Sequence, residues 1–427
     1  MQFAACSTEK MSDGGGLPSS LAEVPSVRLN YRYEADVPAP ETTDNPPAEE
    51  RHAAVLADFD QNRLQEQLDR TVTSPDSKRV LAIYHRAGDG QNEFRLDMYT
   101  ADGQPLRKVT SDLMAVHFPD TIRWSPDSSA VAFVAMLRGA SAEPTPDGGQ
   151  PPVPETAAPT PAPDANANVS ADATDNSVPG ASPDANTATP AVPTPAAPTG
   201  ILTFRTEQLY MSNADGDNTR PLTQNEGFIY FYYVWAPDSS MLAALALHSR
   251  EWQELNRRAD ATGTLFVPQG RPRIVERTGR ERRLDDALTA VQPVWSPDSV
   301  KVAVAFDTQV RIYDALGNTP TQAAIPLRNQ LLISSQAFDQ AQADTLNADA
   351  NQQPQSNTNM NAAAPSTLPD PSKLVSFNPI VVLNWTAPEL LYFETAYVRR
   401  MKIEADNATS FVRWHRLVLT PQAAPVR

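Results

Sequence analysis

Four aspartates recur in one short setting, and carboxylates are the first groups to test for acid–base or metal chemistry. They lie in Thr73-Ser74-Pro75-Asp76-Ser77, Trp124-Ser125-Pro126-Asp127-Ser128, Trp235-Ala236-Pro237-Asp238-Ser239 and Trp295-Ser296-Pro297-Asp298-Ser299. A degraded fifth copy is Trp385-Thr386-Ala387-Pro388-Glu389. Recurrence argues for a turn rather than for catalysis. Proline presets φ at the second position of a turn, and an aspartate carboxylate accepts from the backbone two residues on.

The other reactive residues are isolated. The five histidines, His52, His85, His117, His248 and His415, show no metal-ligand spacing with one another. Asn213-Ala214-Asp215-Gly216-Asp217-Asn218 carries part of a calcium-loop pattern, but Leu222-Thr223 stands where the bidentate acid belongs. There is no Gly-x-Ser-x-Gly, no Gly-rich phosphate loop and no His-Glu-x-x-His. No catalytic residue, metal ligand or cofactor is expected. One stretch stands out by charge: Arg250, Trp252, Arg257, Arg258, Arg271 and Arg273 lie in an Arg-rich run on a chain of formal charge -16. Arginine beside an aromatic residue suits a protein contact or an anionic group. The acidic balance disfavours nucleic acid and anionic membrane.

The elements that position these residues follow from the repeats. An apolar, strand-like run follows each corner: Val80–Tyr84, Ala130–Leu137, Met241–Leu247, Val302–Phe306 and Leu390–Phe393. A second motif recurs downstream, with Ala101-Asp102-Gly103 before Val109-Thr110 and Ala214-Asp215-Gly216 before Leu222-Thr223. Ile312–Gly317 is a looser copy. The unit is strand A, a Ser-Pro-Asp turn, strand B, a variable loop, strand C, an Asp-Gly turn and strand D. Such a unit is the blade of an all-β propeller, which buries its two faces only by stacking on its neighbours. Trp124, Trp235 and Trp295, with Pro126, Asp127, Pro237, Asp238, Pro297 and Asp298, are structural turn residues in this reading. Five blades are readable and six are expected, with 27–33 or 52–68 as sources of missing strands.

Trp-Ser-Pro-Asp before a strand, then Asp-Gly and a closing Leu-Thr, resembles the TolB-like propeller repeat. Family members usually have Gly where Ser77, Ser128, Ser239 and Ser299 stand, and Trp where Thr73 stands. These departures are expected to weaken individual blades. The resemblance implies a periplasmic setting with protein partners. Phe3-Ala4-Ala5-Cys6-Ser7 before a polar, Gly-rich stretch resembles the lipidation site of a bacterial lipoprotein, although only five residues precede Cys6. That makes Cys6, the one cysteine, a lipidation candidate.

Residues 1–26 are therefore read as a tether and 27–427 as the propeller. About a third of the 40 prolines fall between Glu143 and Pro198, so 139–200 is expected to be a disordered insert. The Gln/Asn/Ala-rich 334–371 is expected to be another. Alternating strand direction puts A–B and C–D turns at one end of the ring and the long B–C and D–A connections at the other. Loops carry function more often than scaffolds do, so the loop end is the expected partner surface. The expected function is a non-catalytic, monomeric protein-binding or scaffold module of the cell envelope, touching membrane only through Cys6. The alternatives are a hydrolase or lyase with its site in the channel, and the regulatory propeller of a prolyl-oligopeptidase-type peptidase.

Overall fold

The computed structural model describes residues 20–41, 51–90, 92–137, 206–317, 321–350, 376–399 and 410–422. All of them belong to one compact unit, Met1–Gly139 with Phe204–Arg427. Cys6 and the 139–200 insert lie outside the described residues.

The strands form five antiparallel sheets in chain order. Blade 1 runs Glu66–Thr73, Arg79–Arg86, Arg95–Thr100 and Pro105–Lys108. In blade 2, strand A is split into Met114–His117 and Arg123–Trp124, followed by Ala130–Leu137, Gln208–Asn213 and Arg220–Pro221. Blade 3 is Phe228–Trp235, Met241–His248, Arg271–Glu276 and Glu281–Arg283, and blade 4 is Val294–Trp295, Lys301–Phe306, Gln309–Asp314 and Gln322–Pro326. Blade 5 joins Ile380–Ala387, Leu390–Arg399 and Ser410–Pro421 to the N-terminal strand Leu29–Glu34, with the short Ser376–Phe377 beside its second strand. The protein is a β-propeller.

Period-two patterning explains the stacking. In blade 2, Val131, Phe133 and Ala135 pack toward blade 1, and Ala130, Ala132 and Val134 pack toward blade 3. In blade 4, Val302 and Val304 face blade 3 while Ala303 and Ala305 face blade 5.

The corners tie the blades together. Within a corner, the Ser74 hydroxyl donates to Asp76 Oδ1 at 2.7 Å, and the Lys78 amide donates to the same oxygen at 3.2 Å. Between corners, two bonds repeat. The indole N–H of Trp124, Trp235 and Trp295 donates to the carbonyls of Val72, Arg123 and Val234 at 3.0, 3.2 and 3.1 Å. The amides of Asp76, Asp127 and Asp238 donate to Oγ of Ser128, Ser239 and Ser299, each at 3.0 Å. The serines that replace glycine do not simply weaken their blades. All four sit at positive φ, between 59° and 64°. That conformation costs a non-glycine residue about 1–2 kcal/mol. At three of them a hydroxyl that spans two blades returns about 0.5–1.5 kcal/mol.

Of the two segments read as sources of missing strands, one supplies a strand and the other is mainly a helix. Helix α1, Ala53–Asn62, packs Val55 and Phe59 on Val80, Ala82 and Tyr84, the face of blade 1 turned away from blade 2. Gly103 in the Asp-Gly turn (φ 81°) lies so close to this helix that a Cβ would fall 2.5 Å from that of Ala54. The strand at 29–34 becomes the outer strand of blade 5, pairing Leu29 with Pro421 and Glu34 with Arg416. Ahead of it, the Ser26 amide donates to Asp314 Oδ2 at 3.1 Å, which fastens the N-terminal segment to blade 4.

The connection from blade 4 to blade 5 also differs from expectation. Helix α3, Arg328–Ala350, runs well into 334–371, which was expected to be disordered. Leu327, Leu331, Ser334 and Ser335 are buried where it begins, and Asn378 donates to Ser335 Oγ at 2.5 Å. A Gln/Ala-rich stretch has good intrinsic helicity, and one anchored end suffices to hold it.

Candidate functional site

Helix α2, Ser249–Thr262, fills the B–C connection of blade 3, and the Arg-rich candidates divide between it and the adjoining strand. Trp252 is an anchor. Its ring lies 5.3 Å from that of Phe231, 5.0 Å from Phe266 and 6.3 Å from Phe118, centroid to centroid. Arg271 grips Glu251 with two charge-assisted bonds, Nη1 to Oε2 at 2.7 Å and Nη2 to Oε1 at 2.8 Å. The pairing holds the Glu251 carboxyl below its usual range. Arg273 is buried, donates to Glu281 Oε1 at 2.5 Å and lies 4.7 Å over the Phe228 ring. These three side chains fix the loop. Arg250, Arg257 and Arg258 are exposed on α2, where Arg257 donates to Glu254 at 2.5 Å. The six candidates therefore do not form one open basic patch.

What the loop presents is apolar. Gly263 ends α2 in the left-handed conformation, and Leu265-Phe266-Val267 follows. Phe266 turns inward onto Trp252, while Leu265 is 88% and Val267 is 52% exposed. The sequence signal was present: three apolar residues between a helix-ending Gly263 and Pro268 have no core to enter.

The same end of the propeller collects other exposed aliphatic residues. Leu64 and Leu113 lie just before the first strands of blades 1 and 2, and Leu137 closes the second strand of blade 2. Ile333 is on α3, and Val412 lies near the start of the third strand of blade 5. Helix α2 and the start of α3 lie at this end, while α1 runs from the Asp-Gly turn of blade 1, where Ala54 meets Gly103, toward it. At the opposite end, among the described residues, the exposed large aliphatic side chains are Leu316, Val27 and Leu106, the last just after the Asp-Gly turn of blade 1. The two ends thus differ in kind: one carries short turns, the other α2, the start of α3 and most of the exposed apolar tips.

The buried charges elsewhere satisfy one another. In a cleft of about 400 Å³ on blade 1, Arg63 bonds to Glu66 and, at 2.8 Å, to Asp97, while Arg86 reaches Glu66 at 2.6 Å. Burial raises the Asp97 carboxyl above its usual range even with Arg63 beside it. His117 Nδ1 stands 3.1 Å from Oε1 of the fully buried Glu207, next to Phe118. Among the described residues no three His, Cys, Asp or Glu side chains are placed to hold a metal ion.

No protein-family model matches the chain, and no curated protein matches it. Several solved structures do. The oligogalacturonate lyase of Vibrio parahaemolyticus is 11% identical, with a TM-score of 0.31 over 60% of this chain and 54% of the lyase. A putative TolB from Agrobacterium tumefaciens is 13% identical, with a TM-score of 0.28 over 60% of this chain and 65% of that one. Prolyl oligopeptidase B from Galerina marginata is 9% identical, with a TM-score of 0.38 over 83% of this chain and 36% of the peptidase. The chain therefore spans less than two thirds of each of these proteins.

Proposed function

We propose that the propeller is a non-catalytic protein-binding module and that its loop end is the contact surface. One observation carries this reading: most of the exposed aliphatic side chains gather at the end that bears α2 and the long connections, and the most exposed of them, Leu265, sits on a braced loop. A rigid loop loses little entropy on binding, and a desolvated aliphatic tip contributes about 1.5–3 kcal/mol. The blade 1 cleft fits catalysis less well, because its buried charges are spent on each other.

The setting we propose is the bacterial cell envelope, with Cys6 as a lipid attachment point. No helix among the described residues is long and apolar enough to cross a membrane. A photo-crosslinking residue at Leu265 should yield one discrete adduct in envelope fractions, and the same residue at Leu316 should yield none. Equal labelling at both positions, or none at Leu265, contradicts the proposal.

A further inference from the structure

Blades 2, 3 and 4 each contribute to apolar clusters on both sides. Among the described residues, blade 5 contributes to one. Leu383, Leu391, Phe393 and Leu417 pack toward blade 4. The strand register places the alternating residues on the other face. Val382, Glu394 and Trp414 form one row, and Tyr392, Arg416 and Glu34 form the next. Val382 and its neighbour Val381 are 40% and 39% exposed. No apolar cluster of the described residues spans this face and blade 1.

We propose that this face of blade 5 pairs with the same face of a second copy, giving a two-fold dimer. Three observations select that occupant. The face is built like a propeller's internal interface, with a Trp and a Tyr at its centre, a composition typical of binding hot spots. Its charges balance within one copy, with Arg32 and Arg416 both on Glu34, so the face is close to neutral on a chain whose formal charge of -16 opposes self-association elsewhere. The third concerns closure. Stacking blade 5 of one copy on blade 1 of the next would run head to tail without end. Helix α1 covers that face of blade 1 and leaves only like-on-like pairing.

The expected strength follows from size. A ten-residue strand in a four-stranded sheet spans ~34 Å by ~19 Å, so each copy offers about 650 Å². That is slightly below the ~800 Å² per partner of a standard interface, so the dimer should form in the micromolar range.

Sedimentation velocity of the full chain from about 1 to about 300 µM tests this. A concentration-dependent dimer is expected, and Trp414→Glu should raise its midpoint at least about tenfold. Leu316→Glu, at the turn end, should leave the midpoint unchanged. Because Trp414→Glu could disturb the blade, a second arm uses Val382→Cys in a Cys6→Ser background with a short bismaleimide. Covalent dimer is expected there and not with Leu316→Cys. A chain that stays monomeric throughout, or a dimer indifferent to folded Trp414→Glu and not captured through residue 382, overturns the proposal. So does a different protein found seated on this face.

Discussion

The steps from blade 1 to blade 4 and the seam between blades 5 and 1 solve the same problem by different means. Along the interior steps, an indole N–H reaches back to the previous corner and a serine hydroxyl receives the previous aspartate's amide, three times over. At the seam neither bond exists among the described residues. Thr73 stands exposed where a tryptophan would reach back, and α1 covers the apolar face. The step from blade 4 to blade 5 departs as well, because Trp385 donates to Pro388 within its own corner at 3.2 Å. Blade 5 is held instead from its outer edge, by a strand from the other end of the chain. The missing tryptophan is thus no decay of the repeat. It marks the corner whose neighbour on the apolar face, among the described residues, is a helix and not a blade.

The largest contrast expected is between Trp235→Ala and Thr73→Ala. Trp235 is 5% exposed between blades 2 and 3, so its loss should cost about 3–5 kcal/mol in urea unfolding. Thr73→Ala should stay within about 0.5 kcal/mol. Similar losses at both sites would mean that position 73 meets a neighbour after all.

Next in size is a pH effect confined to blade 5. His415 is buried between the Tyr33 hydroxyl, 3.0 Å from Nδ1, and Thr395 Oγ1, 3.0 Å from Nε2. Burial, with Arg413 close by, lowers its pKa from 6.5 to about 4. The unfolded chain therefore binds more protons than the folded one between those values. Stability from this site is present above about pH 6.5 and is lost as pH falls toward about 4, by on the order of 3 kcal/mol. Hydrogen exchange at the Leu29–Glu34 amides should accelerate across that window, and His415→Gln should flatten the response. Equal acceleration in blade 3 would sever the effect from blade 5.

The smallest contrast concerns the left-handed serines. Ser77→Gly should stabilise by about 0.5–1 kcal/mol, because it relieves φ without losing a bond to a neighbouring blade. Ser239→Gly gives up the bond from Asp127 and should be neutral or slightly destabilising. A matching gain at both would show that the hydroxyl contributes nothing.

The sequence made the blades legible because each corner is local: Pro, Asp and the following strand lie within a few residues. The two ends of the ring were legible too, since strand alternation alone separates turns from loops. What joins one blade to the next was not. That Ser128 receives the Asp76 amide depends on two corners being neighbours in space, and composition carries no such information. The arginine run misled for a related reason. Charge can be counted along a chain, but Glu251 and Glu281 neutralise Arg271 and Arg273 only once the loop has folded.

The pairing of Leu29 with Pro421 has a consequence for biosynthesis. The strand at 29–34 must wait, unpaired, until its partner about 390 residues further along has left the ribosome. Blades 1 to 4 can assemble in order as they emerge, but the fifth sheet gains its edge only once residues 410–421 have been made. A prematurely terminated product would carry a finished interior and a dangling leading strand, which proteases could recognise.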